Sequence, residues 1–341
     1  MPLLPLLSRA HFFRFQVVNT QVISGLFSTL AGTSISVDWG DGSARSTYTG
    51  TDQAWSKDYG SAGNRTVRIY GAQNLTKFTM DQAGANVQFD LANLPTGMAY
   101  FICHGSNTVT GDLADLPAGM TYFYCTGDNT VTGDLADLPT GMTTFRCYGY
   151  NTVTGDLADL PAGMTYFTCI GSNTVTGDLA DLPTGMAYFI CHGSNTVTGD
   201  LADLPAGMTY FNCAGSNTVT GDLADLPAGM TYFNCGDSNT VTGDLADLPA
   251  GITYFRCAGS NTINAYTGKT WTTKPATLNL QGFSSLDQTE VNNLLIDLDA
   301  DLVWAVGDVI TITGNCAAPG AAGLAAIANI EAEGATVTVN T

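Results

Sequence analysis

A 22-residue unit, Gly111-Asp-Leu-Ala-Asp-Leu-Pro-Ala-Gly-Met-Thr-Tyr-Phe-Tyr-Cys-Thr-Gly-Asp-Asn-Thr-Val-Thr132, repeats down the middle of the chain. Further copies begin at Gly133, Gly155, Gly177, Gly199, Gly221 and Gly243, and a worn copy opens at Phe89. A fixed period of this length marks a solenoid, because each unit is too short to enclose a core and buries its apolar side only against its neighbours. The period therefore overrides the two or three compact domains that 341 residues would otherwise suggest.

Charge narrows the partners. Asp and Glu number 30 against 11 Lys and Arg, a net charge of −19. Binding to phosphates needs a basic face, so nucleic acid and anionic membrane surfaces are excluded as main partners. Between residues 89 and 264 only Arg146 and Arg256 are basic. No apolar run approaches the roughly 20 residues that membrane insertion requires. The opening Met1-Pro-Leu-Leu-Pro-Leu-Leu-Ser-Arg-Ala10 has too short an apolar core for a signal peptide, and two prolines break it. Residues 1–10 read as a docking arm, with an edge strand of the following domain as the alternative.

Residues 11–72 alternate strand-like runs with turn residues. Val37-Asp-Trp-Gly-Asp-Gly-Ser43 reads as a strand entering a tight turn, with Asp38 and Asp41 as turn caps or, alternatively, a cation site. Together with Tyr59-Gly-Ser-Ala-Gly63 and Thr66-Val-Arg-Ile69, this segment resembles PKD-like β-sandwich modules. The resemblance implies a mount without chemistry of its own.

Residues 73–264 form the array, an opening turn at Leu75-Thr-Lys-Phe-Thr-Met80 followed by eight 22-residue units. The frame Met-x-x-Phe-x-Cys-x-Gly-x-Asn-Thr-Val-Thr-Gly-Asp-Leu-Ala-Asp-Leu-Pro-x-Gly resembles a leucine-rich repeat, with one extra residue between Cys and Asn. Phe and Cys take the inward strand positions, and Val and two Leu complete the core. The resemblance implies that Asn107, Asn129, Asn151 and their equivalents stack inside the turn and bond backbone groups. The Leu-Ala-Asp-Leu-Pro return has no room for an α-helix and suits an extended or 3-10 path. Eight cysteines, Cys103 to Cys257, recur at the period and a ninth, Cys316, lies outside it. They read as a reduced core ladder, with disulfides or metal binding as alternatives.

Residues 265–341 lose the pattern. Thr277–Gly282, Val309–Gly314 and Ala335–Val339 predict strands, with helices over Asp287–Leu298, capped by Ser285, and Ala321–Glu333, closed by Gly334. These are two helix-bearing turns that cap the open end. The fold class is thus mainly β: a parallel-β, leucine-rich-repeat-like solenoid, an N-terminal β-sandwich and a C-terminal α/β cap.

Almost all variation between copies falls in three columns. The position after Phe carries Ile102, Tyr124, Arg146, Ile190 and Arg256; the position after Cys carries His104, Tyr148 and His192; Tyr150 stands among serines in the third. Side chains alternate faces along a strand, so residues flanking inward Phe and Cys point outward and share one exposed sheet face. Drift explains variable exposed positions, yet the exposed Gly-Asp-Leu-Ala-Asp-Leu-Pro segment is identical in seven copies. The columns are therefore read as a ligand-binding surface centred on Tyr124, Arg146, Tyr148 and Tyr150, since Tyr and Arg dominate interface hot spots. Aromatic faces also suit sugar rings.

Asp112, Asp115 and their equivalents form two acidic ladders, read as turn caps, a solvated face or cation ligands. No nucleophile–base pair, phosphate loop or converging carboxylate pair indicates an enzyme, and no cofactor or metal is expected. The expected function is non-enzymatic recognition of a host surface protein or glycan. The module combination resembles leucine-rich-repeat proteins of bacteriophage tails and virion surfaces, which implies a virion-surface location. It also implies contact with other virion or surface structural proteins through the N-terminal arm and domain. The alternatives are a purely structural decoration of a capsid or tube, and an extracellular adhesin on a bacterial cell surface.

Overall fold

The computed structural model describes residues 12–81 and 86–341; the docking arm assigned to residues 1–10 lies outside them. The chain divides into two compact units, Met1–Gly155 with Asp159–Asn173, and Asp156–Ala158 with Thr174–Thr341.

The first unit opens with eight strands: β1 (Phe12–Val17), β2 (Val22–Thr29), β3 (Ser34–Asp38), β4 (Ser46–Thr49), β5 (Gln53–Asp58), β6 (Arg65–Tyr70), β7 (Leu75–Asp81) and β8 (Val87–Asp90). Strict alternation in β1 buries Phe13, Phe15 and Val17 and turns Arg14 and Gln16 outward. One antiparallel layer runs β4-β3-β6-β1-β8 and the other β5-β2-β7. Aromatic rings fill the gap between them. Phe13 meets Phe78 edge-on at 5.5 Å, and Phe27 stacks on Trp55 at 5.1 Å. The result is a β-sandwich. Asp38 accepts the Gly40 N–H and Asp41 the Ser43 N–H, each at 3.0 Å, so both carboxylates cap turns; Asp41 also pairs with Lys57 at 2.7 Å.

Both layers continue into the repeats through β9 (Tyr100–Asp112). β7 pairs with it in parallel, Phe78 opposite Phe101 and Met80 opposite Cys103, and β8 pairs further along, Phe89 opposite Val109. The opening turn and the worn copy thus sit in frame. Each later turn gives one strand to a Phe–Cys sheet and one to a Thr-Val-Thr sheet. Tyr122–Gly127 lies in register against Thr144–Tyr148, Phe123 opposite Phe145 and Cys125 opposite Cys147. The Phe rings stack at 5.7 Å from Phe101 to Phe123 and again from Phe123 to Phe145.

The asparagine ladder is the internal scaffold. Asn107, Asn129, Asn151 and Asn173 are fully buried, and each Oδ1 accepts a backbone N–H from the turn before: Val87, Val109, Val131 and Val153, at 2.8 to 3.1 Å. Backbone groups that a sheet ladder cannot reach are satisfied in this way without water. The return path is a single 3-10 turn, Leu113–Asp115 in one copy, begun by Asp112, whose Oδ1 accepts the Ala114 N–H at 3.0 Å. Its Oδ2 accepts the Thr132 hydroxyl at 3.0 Å. The first acidic ladder is therefore a capping device, while the second, at Asp137 and Asp159, is exposed. Gly133 holds φ +113°, and a Cβ there would lie 2.7 Å from Leu113 N, which excludes any larger residue.

The second unit repeats this construction from Thr174 and then caps it. Phe189, Phe211, Phe233 and Phe255 stack at 5.7 to 5.9 Å, and Asn195, Asn217, Asn239 and Asn261 are fully buried. Asp237, in the copy where the glycine is displaced, adopts a left-handed φ of 67°, and its Oδ2 accepts the Gly215 N–H at 3.1 Å. Thr277–Leu280, Val309–Ile312 and Thr336–Val339 extend the Phe–Cys sheet in parallel. Between them run α1 (Gln288–Asp301) and α2 (Ala321–Ala332). The cap of α1 is Asp287 and not the expected Ser285: Asp287 and Glu290 close a reciprocal capping box, which a serine two residues earlier cannot reach. The nine cysteines are unbridged and buried.

Candidate binding face

Along each Phe–Cys strand the residue before Phe, the one between Phe and Cys, and the one after Cys share the outer face. The first of these columns is almost invariant: Tyr100, Tyr122, Thr144, Tyr166, Tyr188, Tyr210, Tyr232 and Tyr254. In-register pairing stacks its rings, Tyr100 on Tyr122 at 4.2 Å in the first unit and Tyr210 on Tyr232 at 3.9 Å in the second. Sequence comparison between copies passes over this column because it hardly varies. The signal was present in the alternation, since a residue beside an inward Phe must face out.

Thr144 breaks the column, and the same strand carries Arg146. The Arg146 guanidinium lies 4.0 Å from the Tyr124 ring centre and 4.6 Å from that of Tyr166, and its Nη2 donates to the Tyr148 hydroxyl at 3.3 Å. A tyrosine at position 144 would stand between Tyr122 and Tyr166, the residues opposite it on the neighbouring strands. The threonine leaves that space to the arginine. His104 closes the other side, edge-on to Tyr124 at 4.2 Å. The structure thus brings together His104, Tyr124, Arg146 and Tyr148, adds Tyr166, and places Ile102 half-buried opposite Tyr124. Tyr150 follows in the next loop with 71% of its surface exposed.

Electrostatics keep the cluster cationic at its centre. Burial works to lower the Arg146 pKa, but the hydrogen bond to Tyr148 and the surrounding phenols outweigh it, and the net shift is upward. Burial raises the Tyr124 phenol, so it stays neutral. Among the described residues no carboxylate stands within ion-pair distance of Arg146. Some buried polar atoms lack a partner. Within the described repeats they are Arg146 Nε, Asn151 Nδ2, Thr168 Oγ1 and Asn173 Nδ2.

The face is less exposed than alternation alone predicts. In the column after Phe, Thr168 is fully covered, Ile190 is 5% exposed and Asn212 is 9% exposed. Neighbouring strands stand only about 4.8 Å apart, so a short side chain between longer ones is roofed over by them. Arg146, in register with Thr168, does this on its way to Tyr166. Ile190 is accordingly a packing residue and not part of an open surface.

In the second unit His192 is half-buried, and burial lowers its pKa, keeping the ring neutral near pH 7. Arg256 joins a polar row: its Nη1 donates to Asn234 Oδ1 at 3.3 Å, and Asn234 Nδ2 donates to Asn212 Oδ1 at 3.2 Å. Arg256 is thus engaged with amides, whereas Arg146 is held by aromatic rings.

Among the described residues no group of three or more His, Cys, Asp or Glu side chains is arranged to hold a metal ion. No described helix is long and apolar enough to cross a membrane.

No family model matches the chain, and no curated protein matches it. Among solved structures it is similar to the plant peptide hormone receptor RGFR1 in complex with RGF2, at 13% identity and a TM-score of 0.48. The match covers 79% of this chain and 48% of the receptor chain, so the chain spans about half the length of that structure.

Proposed function

We propose that the chain is a non-enzymatic binding protein that recognises a host surface protein or glycan through the outer face of its Phe–Cys sheet. One observation carries this reading. The copies differ most at Tyr124, Arg146, Tyr148 and Tyr150, of which the first three converge on the outer face and the fourth is 71% exposed in the following loop. Aromatic rings and arginine are the side chains that supply most binding energy at interfaces.

The sandwich of β1–β8 is read as a PKD-like mount, and residues 1–10 as the arm that docks it to other virion or surface structural proteins. The location that fits such a mount and repeat array is a virion surface, of the bacteriophage tail or capsid type; a bacterial cell surface is the alternative. Antibody labelling of purified virions and of cell envelopes separates the two.

The test of function is binding of the full chain to host-type cells, beside a variant with Tyr124, Arg146, Tyr148 and Tyr150 all changed to Ser. Loss of binding with an unchanged melting curve supports recognition through this face. Equal binding by both proteins removes the face from the mechanism, and absence of binding by either leaves a structural decoration protein.

A further inference from the structure

We propose that Arg146, held between Tyr124 and Tyr166, anchors a single carboxylate carried by a sugar ring of the recognised glycan, with the ring seated against Tyr148 and Tyr150. The inference rests on the binding-face reading and names its ligand class.

Charge supplies the first argument. Among the described residues Arg146 has no carboxylate partner, in a chain of net charge −19. Its guanidinium is fixed by two ring faces and one hydroxyl, so its free N–H groups are ordered before a ligand arrives. A guanidinium fork matches a carboxylate in two parallel hydrogen bonds. A chain of net charge −19 repels a ligand carrying many negative charges, which selects one with a single charge at the contact.

Polar atoms supply the second argument. Arg146 Nε and Thr168 Oγ1 lie on residues paired in register, Thr168 is fully buried, and neither atom has a partner. Buried donors without acceptors destabilise the empty site, and a carboxylate paired with the guanidinium offsets that deficit at Arg146.

Shape decides between a sugar and a peptide. The strand Thr144–Tyr148 is hydrogen-bonded to neighbours on both sides, so no open edge exists for a peptide backbone to extend. The face offers instead the 71% exposed ring of Tyr150 and, at the equivalent position one turn earlier, the exposed carboxylate of Asp128. An aromatic ring for the C–H face of a pyranose and an acceptor for its hydroxyls are the pair of contacts a sugar requires.

The experiment measures binding of the full chain to matched glycans that differ only in a uronic-type carboxyl, presented as the free acid, the methyl ester and the reduced alcohol. The Arg146→Lys and Arg146→Met variants are run alongside. The expected result is at least about tenfold tighter binding of the free acid, in line with a charged hydrogen-bond pair. Met abolishes that preference, so that acid, ester and alcohol bind alike, and Lys restores part of it. Equal affinity for acid and ester overturns the carboxylate assignment but leaves the binding face standing. Binding to cells that protease treatment removes, with no glycan bound, overturns it in favour of a protein ligand. The four-serine variant binding cells as well as wild type overturns the face itself, a result the glycan series cannot produce.

Discussion

The Arg146 guanidinium stacks on Tyr166 at 4.6 Å because Thr144, the residue opposite Tyr166 on the adjoining strand, does not fill the gap. Replacing Thr144 with Tyr rebuilds the ring column from Tyr122 to Tyr166 and displaces the arginine from one of its two ring faces. Losing one cation–π contact of about 1 kcal/mol and the fixed geometry reduces cell binding several-fold. The melting temperature holds or rises, since one stacked contact replaces another. Paired binding and melting curves of Thr144→Tyr check this, and unchanged affinity breaks the link between the gap and recognition.

The asparagine ladder is not equally loaded along its length. Asn217 Oδ1 accepts the Val197 N–H at 2.8 Å, and its Nδ2 donates to both Cys191 O and Ala214 O, at 2.9 and 3.0 Å. Asn151 accepts the Val131 N–H at 2.9 Å, but its Nδ2 has no acceptor. Alanine at either position strands one buried N–H, at about 1–3 kcal/mol. Asn217→Ala also removes a hydrogen bond from each of two carbonyls and costs about 1–2 kcal/mol more than Asn151→Ala. Urea midpoints of the two variants give the order, and a larger loss for Asn151→Ala refutes the account.

Alkaline pH tests the tyrosine column. Burial, with a smaller contribution from neighbouring Tyr122, pushes the Tyr100 phenol up to about 12. A phenol in the unfolded chain ionises near about 10. The folded value is the higher, so the stability that this group contributes is complete below pH 10 and lost as pH rises toward 12. Melting temperature should fall across that window while tyrosinate absorbance lags behind that of free tyrosine. Coincident titration with free tyrosine removes the stacked column from the stability of the fold.

The thiols make a fourth test. Cys103, Cys147 and Cys235 are fully buried, and burial holds each thiol far from ionisation. Cys125 and Cys147 place their sulfurs 3.6 Å apart without a bond. A chromogenic thiol reagent at pH 8 should find no reactive cysteine in the folded protein and nine after denaturation without reductant. Fewer than nine in the denatured chain identifies disulfides and overturns the reduced ladder.

Periodic features were the legible ones. A Phe, Cys, Val, Leu or Asn that recurs every 22 residues must do the same job each time, and the fully buried Phe, Cys and Asn columns do. Legibility failed where side chains interact sideways between turns. Ile190 follows an inward Phe and faces outward by alternation, yet only 5% of it is exposed. Tyr166 belongs to the site through contact with Arg146 on the preceding turn, a relation that comparing aligned columns cannot reveal. At the α1 start the expected cap, Ser285, lies two residues before the observed one, and the reciprocal contact with Glu290 is what makes Asp287 the cap.

The constant stacking distance of the Phe rings, 5.9, 5.8 and 5.7 Å across Phe189, Phe211, Phe233 and Phe255, means that every junction in this stretch is interchangeable with the next. Excising one copy, or duplicating it, joins surfaces that already fit. Chains one copy shorter or longer are therefore expected to keep the same core, with array length free to change independently of the residues on the outer face.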